Sequence, residues 1–323
     1  MDVLYTQLKT YGKVKLDEPM SKHTTFKIGG PAKYFVIVDD IKKLVELISW
    51  LNGEGQKYFI LGGGSNLLVR DEGYDGVVIK IDIKQHTFLP DGIEAEAGAQ
   101  IATLSREALD HKLAGLEWGI GLPGSIGGAV YGNAAYSGKY MADIVDKVEV
   151  IHNGEHKVLS NDDCNFANKE SVFKHDVYLI LKVFLKLRRI ETGEEQQKAK
   201  EYILEQIKYR AKTQPKGFPS AGCVFKNCEV LVDDIPRFEP HIDSDRVLTI
   251  LHNYHKIPVG YLIEKVGLRG KKLGGAQVSP EHANFIVNAG GATAQDVLTL
   301  IEEIKQKVYT TYGLELEEEV QVV

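Results

Sequence analysis

The residues best suited to chemistry lie in the stretch Pro219-Ser220-Ala221-Gly222-Cys223-Val224-Phe225-Lys226-Asn227, where a thiol, a cation and a carboxamide fall close together after small residues that permit a tight backbone. An unperturbed thiol titrates near ~8.5, and a neighbouring cation such as Lys226 lowers that value, so Cys223 is a candidate proton donor close to neutrality. The commoner fate of such a cysteine is a small buried hydrophobe in a turn. Spacing alone leaves both readings open.

Two glycine-rich segments offer a different chemistry. The apolar run Tyr58-Phe59-Ile60-Leu61 leads into Gly62-Gly63-Gly64-Ser65-Asn66. Successive N–H groups there can point into one concavity and bind a phosphate or pyrophosphate, although a tight turn uses the same residues. The pattern matches neither the Walker nor the GxGxxG motif. Further on, residues 119–134 are apolar and glycine-rich and include Pro123, Gly124, Ser125, Gly127 and Gly128. Such backbone freedom suits close approach to a flat or phosphorylated ligand, and two such loops suggest a large cofactor.

Those loops need elements to position them. The run Tyr34–Val38 reads as a strand, Leu44, Val45, Ile48 and Leu51 predict a helix over 41–51, and Tyr58–Leu61 reads as a second strand, giving a strand-helix-strand unit of α/β type. Strands are expected at 76–81, 93–98, 147–151 and 178–185, with a covering helix over 101–111. Cys164 reads as packing. A charged helix over 191–213 ends before Gln214-Pro215, which marks a domain boundary. Residues 229–257, with several aspartates and His241, read as a solvated surface insertion rather than a metal site, and 282–288 as a strand. A last helix runs through Val297, Leu300, Ile301, Ile304 and Val308; alternation over 313–323 predicts a terminal strand with Glu317 and Glu318 solvated.

At 323 residues the chain is long enough for two or three domains. A net charge of -6 supplies no general attraction to nucleic acid or an anionic membrane, so an anionic ligand needs a local cluster of donors. The three cysteines form neither a metal-ligand pattern nor a disulfide framework, and no apolar stretch has the length of a signal or membrane span. A cytoplasmic, monomeric protein without a metal, a nucleic-acid partner or a membrane attachment is expected.

Together, His23–Ala32, Tyr58–Arg70, Gly119–Ala134, Tyr209–Asn227, Gly260–Asn288 and the acidic C-terminus resemble, in order, the UDP-N-acetylenolpyruvoylglucosamine reductase (UDP-N-acetylmuramate dehydrogenase) family of bacterial cell-wall, or peptidoglycan, synthesis. The resemblance implies an α+β protein: a two-lobed FAD-binding domain of the vanillyl-alcohol oxidase-like (PCMH-type) superfold, lobes 1–81 and 82–211, plus a C-terminal α/β substrate-binding domain, 212–323. It implies FAD held by Gly62, Gly63, Gly64, Ser65, Asn66, Pro123, Gly124, Ser125, Gly127 and Gly128. NADPH would reduce the flavin, whose N5 would pass the hydride to C3 of the enolpyruvyl ether of a UDP-sugar, with Cys223 protonating C2. Relatives have serine or cysteine at that position. Glu319 matches the family's catalytic glutamate, while Arg210, Lys226 and Asn227 match substrate-contacting positions.

Two departures bear on activity. Where the family has Tyr-Arg before Ser-x-Phe-Lys, this chain has Asn168-Lys169-Glu170-Ser171-Val172-Phe173-Lys174, so Lys169 keeps the charge but not the bidentate fork that matches a carboxylate. Gln321 stands where relatives commonly carry arginine. A FAD- and UDP-sugar-binding homologue with impaired turnover, or another flavin oxidase of the same superfold, are the alternatives.

Overall fold

The strand-helix-strand unit forms as its periodicity dictates. Asp40 caps the helix Ile41–Gly53 by accepting from the Lys43 N–H at 2.8 Å, and Leu44, Leu47, Ile48 and Leu51 face inward. The strand before it, Pro31–Val38, is almost wholly buried in its second half because it is an interior strand. It runs parallel to Tyr74–Ile81, which runs parallel to Tyr58–Leu61.

The computed structural model describes residues 2–323, whose contacts separate them into two compact units: residues 2–18, 32–64 and 74–212, and residues 19–31, 65–73 and 213–323. In the first unit a four-stranded sheet orders its strands Lys13–Pro19, Pro31–Val38, Tyr74–Ile81, Tyr58–Leu61. A second, antiparallel sheet orders them Glu155–Ser160, Val145–His152, Tyr178–Lys186, Gly92–Glu96, His86–Leu89. One apolar core serves both sheets and includes Cys164 and Trp118.

The second unit is built on an antiparallel sheet ordered Ser220–Cys223, Phe285–Asn288, Ala276–Val278, Lys272–Leu273. The helix Ala294–Tyr312 buries Val297, Leu300, Ile301, Ile304 and Val308 in this unit's own core. Thr293 and Asp296 form its capping box, the Asp71 carboxylate accepts from the Ala294 and Gln295 N–H groups at 2.8 and 3.0 Å, and Gly313 ends it in the left-handed region. Among the described residues no helix is long and apolar enough to cross a membrane.

Four expectations are corrected. Residues 229–257 are no solvated insertion: Val230, Ile235, Phe238, Ile242, Val247, Leu251 and Ile257 all belong to the second unit's core. Their apolar residues are divided among loops, the single turns 232–234, 235–238 and 239–241, the helix Asp245–Tyr254 and the strand Lys256–Ile257, so no long period announces burial. The second glycine-rich stretch, in keeping with its reading as more than a plain loop, contains the turn Glu117–Gly121 and the helix Ile126–Tyr131. The C-terminal strand is only Gln321–Val322, and Glu318 is not solvated but paired with Lys305 at 2.5 Å. The strand expected from 282 begins at Phe285.

Leu251, fully buried, tests the first correction. Leu251→Ala is expected to cost about 2–5 kcal/mol in urea unfolding of the whole chain, whereas a surface position would move it by about 0.5 kcal/mol or less.

Candidate active site

In the first unit the strand Tyr58–Leu61 delivers the triple glycine against the second glycine-rich segment. A Cβ on Gly63 would lie 2.3 Å from the Gly124 Cα, so only glycine permits this backbone-on-backbone packing, and one on Gly62 would lie 2.7 Å from the side-chain Oγ of Ser125. The Gly62 carbonyl accepts from the Lys80 ammonium, whose pKa burial lowers. Gly64 is buried with φ +65°, and neither its N–H nor that of Gly63 donates a hydrogen bond among the described residues. A concave backbone with unspent donors fits the pyrophosphate of a dinucleotide.

The second segment contributes differently. Ser125 caps its short helix by accepting from the Gly128 N–H at 3.3 Å, and the Ile126 and Gly127 N–H groups donate to Ala99 and Ala97 at 2.8 and 2.9 Å. A Cβ on Gly127 would come within 2.8 Å of the Ala97 Cβ. The Gly127 and Gly128 N–H groups are therefore engaged within the protein, while Pro123 is exposed.

Arg210 lies buried in the same unit. Its Nη1 donates to the Gly121 carbonyl at 2.5 Å and its guanidinium lies 3.7 Å from the centroid of the Tyr136 ring. The Nε and Nη2 groups, and the Tyr136 hydroxyl, have no hydrogen-bond partner among the described residues. Burial pulls this guanidinium below its ordinary pKa. A buried cation with two unspent donors is a site for an anionic or carbonyl oxygen.

Lys169 occupies a turn closed between Ala167 and Glu170, with φ +59°. That turn is held from several sides. Lys174 donates to the Lys169 carbonyl at 2.6 Å, Asn133 to the Ala167 carbonyl at 2.7 Å, and buried Ser171 to the Tyr131 carbonyl at 2.6 Å.

In the second unit Cys223 ends its strand opposite Phe285 and is partly exposed. The next carbonyl, of Val224, accepts from the Glu319 N–H at 2.7 Å, which brings together two of the sequence-predicted catalytic residues from the two ends of the unit. Lys226 is 7% exposed and pairs with Glu317, while its N–H donates to the Glu317 carbonyl at 2.9 Å. The Asn227 Oδ1 accepts from the Val259 N–H at 3.3 Å. Asn66 does not face a loop cavity with its amide: its Nδ2 donates to the Glu319 carbonyl at 2.8 Å, and its own carbonyl accepts from Gln321 at 3.0 Å. Thr25 ties the Ser220 carbonyl at 2.7 Å and that of Ser65 at 3.4 Å.

The other thiols are poor acids. Burial pushes Cys164 up to about 12 and Cys228 up to about 11. Among the described residues no group of three or more His, Cys, Asp or Glu could hold a metal ion. Sequence reasoning missed Lys80, Ser171 and Asn284; the last sits in the His282–Asn288 stretch, where only its polarity at the edge of an apolar strand marked it.

Residues 32–160 match the family model of a FAD binding domain, and residues 214–323 match that of the UDP-N-acetylenolpyruvoylglucosamine reductase C-terminal domain. The UDP-N-acetylenolpyruvoylglucosamine reductase of Caldanaerobacter subterraneus subsp. tengcongensis is 36% identical over 332 residues, covering 100% of this chain and 98% of that relative. The protein of the same name from Alkaliphilus oremlandii is 38% identical over 313 residues, covering 96% of this chain and 93% of its own. Among solved structures, the UDP-N-acetylenolpyruvylglucosamine reductase of Thermus caldophilus matches with a TM-score of 0.74 at 32% identity, over 96% of this chain and 98% of that one.

One titration bears on the loop around Asn284. The Asn284 N–H donates to the His282 Nδ1 at 3.3 Å, which requires that nitrogen to be unprotonated. Burial lowers the His282 pKa, and Arg246 and Arg269 push the same way. A depressed folded-state pKa gives stability that is fully present above the unfolded value of about 6.5 and is lost as pH falls through the folded value. The urea midpoint is therefore expected to fall between about pH 7.5 and about pH 5.5, and to fall less in His282→Gln.

Proposed function

The chain belongs to the UDP-N-acetylenolpyruvoylglucosamine reductase family, and we propose from that premise how its residues divide the reaction. The fold is α+β with a FAD-binding part of the vanillyl-alcohol oxidase-like (PCMH) type. The protein reduces UDP-N-acetylenolpyruvoylglucosamine in peptidoglycan precursor synthesis, with FAD as cofactor and NADPH as reductant. The division of the flavin-binding part into lobes 1–81 and 82–211, ahead of a substrate domain 212–323, belongs to the same proposal. Two separate sheets in the first unit support it.

When bound, the flavin would supply hydride transfer from NADPH to C3 of the enolpyruvyl group. Everything else falls to the chain. Gly62, Gly63, Gly64, Ser65 and Asn66 would hold the cofactor with Pro123, Gly124, Ser125, Gly127 and Gly128; the unspent N–H groups of Gly63 and Gly64 support the pyrophosphate as their ligand, while Asn66, Gly127 and Gly128, whose donors are engaged within the protein, would shape the loops. Arg210, Lys226 and Asn227 hold the substrate's anionic and polar groups. As C3 gains a hydride, negative charge develops at C2 and in the adjoining carboxylate. Lys169 stabilises that charge, and Cys223 donates its proton to C2, its thiolate then recovering a proton from water. Glu319 acts beside the carboxylate and thiol as a hydrogen-bonding partner.

The observation that carries this reading is the hydrogen bond from the Glu319 N–H to the Val224 carbonyl, one residue after Cys223. It puts an acid group and a thiol on adjacent backbone segments. The reading also has the protein working as a cytoplasmic monomer on a small-molecule substrate; three cysteines outside any disulfide support a reducing compartment.

Two outcomes test the roles. Cys223→Ala is expected to leave flavin reduction by NADPH near the wild-type rate and to slow product formation about 10²–10⁴-fold, followed as separate half-reactions by stopped flow. Lys169→Arg is expected to raise turnover by up to about a hundredfold, because it restores the planar fork towards the developing carboxylate charge. Wild-type turnover that the substitution leaves unchanged would show that the lysine is already sufficient.

A further inference from the structure

Phe225 lies just past the end of a β ladder, yet both of its backbone polar groups are satisfied. The strand Ser220–Cys223 pairs with Phe285–Asn288, Cys223 opposite Phe285. The Val224 N–H then donates to the Asn284 carbonyl at 2.8 Å, and the regular pairing stops. From there the Asn284 side chain takes over the role of a strand. Its Oδ1 accepts from the Phe225 N–H at 3.0 Å, and its Nδ2 donates to the Phe225 carbonyl at 2.8 Å. A carboxamide offers the donor and acceptor of a peptide group side by side. With Phe225 1% and Asn284 3% exposed, water cannot stand in for either bond.

The alternation of a strand sends the polar groups of neighbouring residues to its opposite edge. There the Val224 carbonyl accepts from the Glu319 and Val320 N–H groups at 2.7 and 3.2 Å, and the Lys226 N–H donates to the Glu317 carbonyl at 2.9 Å. The segment just after Cys223 is therefore held between one asparagine side chain and the backbone that carries Glu319.

We propose that Asn284 is a positioning residue for the protonation step: by fixing residue 225 on one edge, it sets the placement of Cys223 against Glu319 on the other. The proposal rests on the reading of Cys223 as proton donor. Asn284 touches neither the thiol nor the Glu319 carboxylate in this role; it acts through the backbone of residues 224–226.

The test uses the flavin-loaded full chain carrying Asn284→Asp. A protonated aspartic acid keeps one acceptor and one donor, the pattern of asparagine, whereas the carboxylate has no donor and faces the Phe225 carbonyl with like charge. Burial raises the pKa of such an acid, so both forms can be sampled. Flavin reduction by NADPH is expected to stay within about twofold of wild type throughout, which also shows that the variant is folded. Reoxidation by saturating UDP-N-acetylenolpyruvoylglucosamine, compared with wild type at the same pH, is expected to fall about tenfold or more near pH 8 and to recover near pH 5.5. Asn284→Gln, which displaces the carboxamide by one methylene, is expected to slow reoxidation at every pH without recovery.

Equal losses in both half-reactions, or a reoxidation rate of Asn284→Asp that does not recover at low pH, would overturn the proposal. So would loss of flavin from both variants at every pH, since Asn284 would then serve the fold alone. Wild-type protein that NADPH reduces but the substrate does not reoxidise would remove the assigned reaction together with this proposal, and that result needs no variant to be seen.

Discussion

The Val224 carbonyl is the point on which the second unit's chemistry depends. It accepts from Glu319 and Val320 together, while Gln321 and Val322 pair in parallel with Leu67 and Leu68. The last residues of the chain make so short a strand that ladder pairing alone could not fix them. Each net backbone bond contributes only about 1 kcal/mol, but leaving a buried donor unmade costs about 1–3 kcal/mol, and that asymmetry enforces the register. Asn66 and Thr25 extend the same principle to Glu319 and Ser220, so four segments far apart in sequence, which share one apolar core through Phe26, Leu68, Val224 and Val320, are held in register by carbonyls.

Charge is deployed more sparingly. Lys226 is deeply buried, whereas the side chain of its partner Glu317 is 70% exposed, so the pair shields one ammonium from desolvation rather than adding much stability. Arg210 goes further in the first unit: its guanidinium is buried with two donors unspent. Such a group is destabilising in the folded protein and is understandable where a ligand oxygen completes it. Each unit thus buries a cation of a different kind, one neutralised within the protein and one held open.

Much of the fold was legible because it is periodic. The helix Ile41–Gly53 and the strands beside it announce themselves by apolar spacing, and the helix Ala294–Tyr312 also by its cap. The stretch 229–257 did not, because its apolar residues are divided among loops, single turns, one ten-residue helix and a two-residue strand, with aspartates and prolines between them. Cys223 and the triple glycine were visible as chemistry from residue type alone. Glu319 was not separable from Glu317 and Glu318 by pattern; the structure pairs Glu317 with Lys226 and Glu318 with Lys305, and joins the Glu319 N–H to the Val224 carbonyl. Asn284 was invisible for a different reason: a carboxamide that mimics a strand is defined by geometry, and the sequence shows only a polar residue before Phe285. The family, and with it FAD, came from the resemblance and the matching relatives, since glycine spacing by itself says only that an anion would fit.

That fit has a simple geometric origin. The Gly62 carbonyl and the Gly63 N–H belong to one peptide plane, and in a trans peptide they point in opposite directions. Lys80 donates to that carbonyl, so the plane is anchored from behind and the Gly63 N–H is turned away from Lys80. Gly64, in the left-handed region at φ +65°, rotates the next plane, and successive N–H groups in such an arrangement form a concave donor set. The close approach of Gly63 to Gly124 excludes any side chain from the turn, which keeps the concavity open. In the proposed cofactor site, then, Lys80 acts without touching the anion: its ammonium holds a carbonyl out of the way, and a lysine on the neighbouring strand decides which face of a glycine loop is positive.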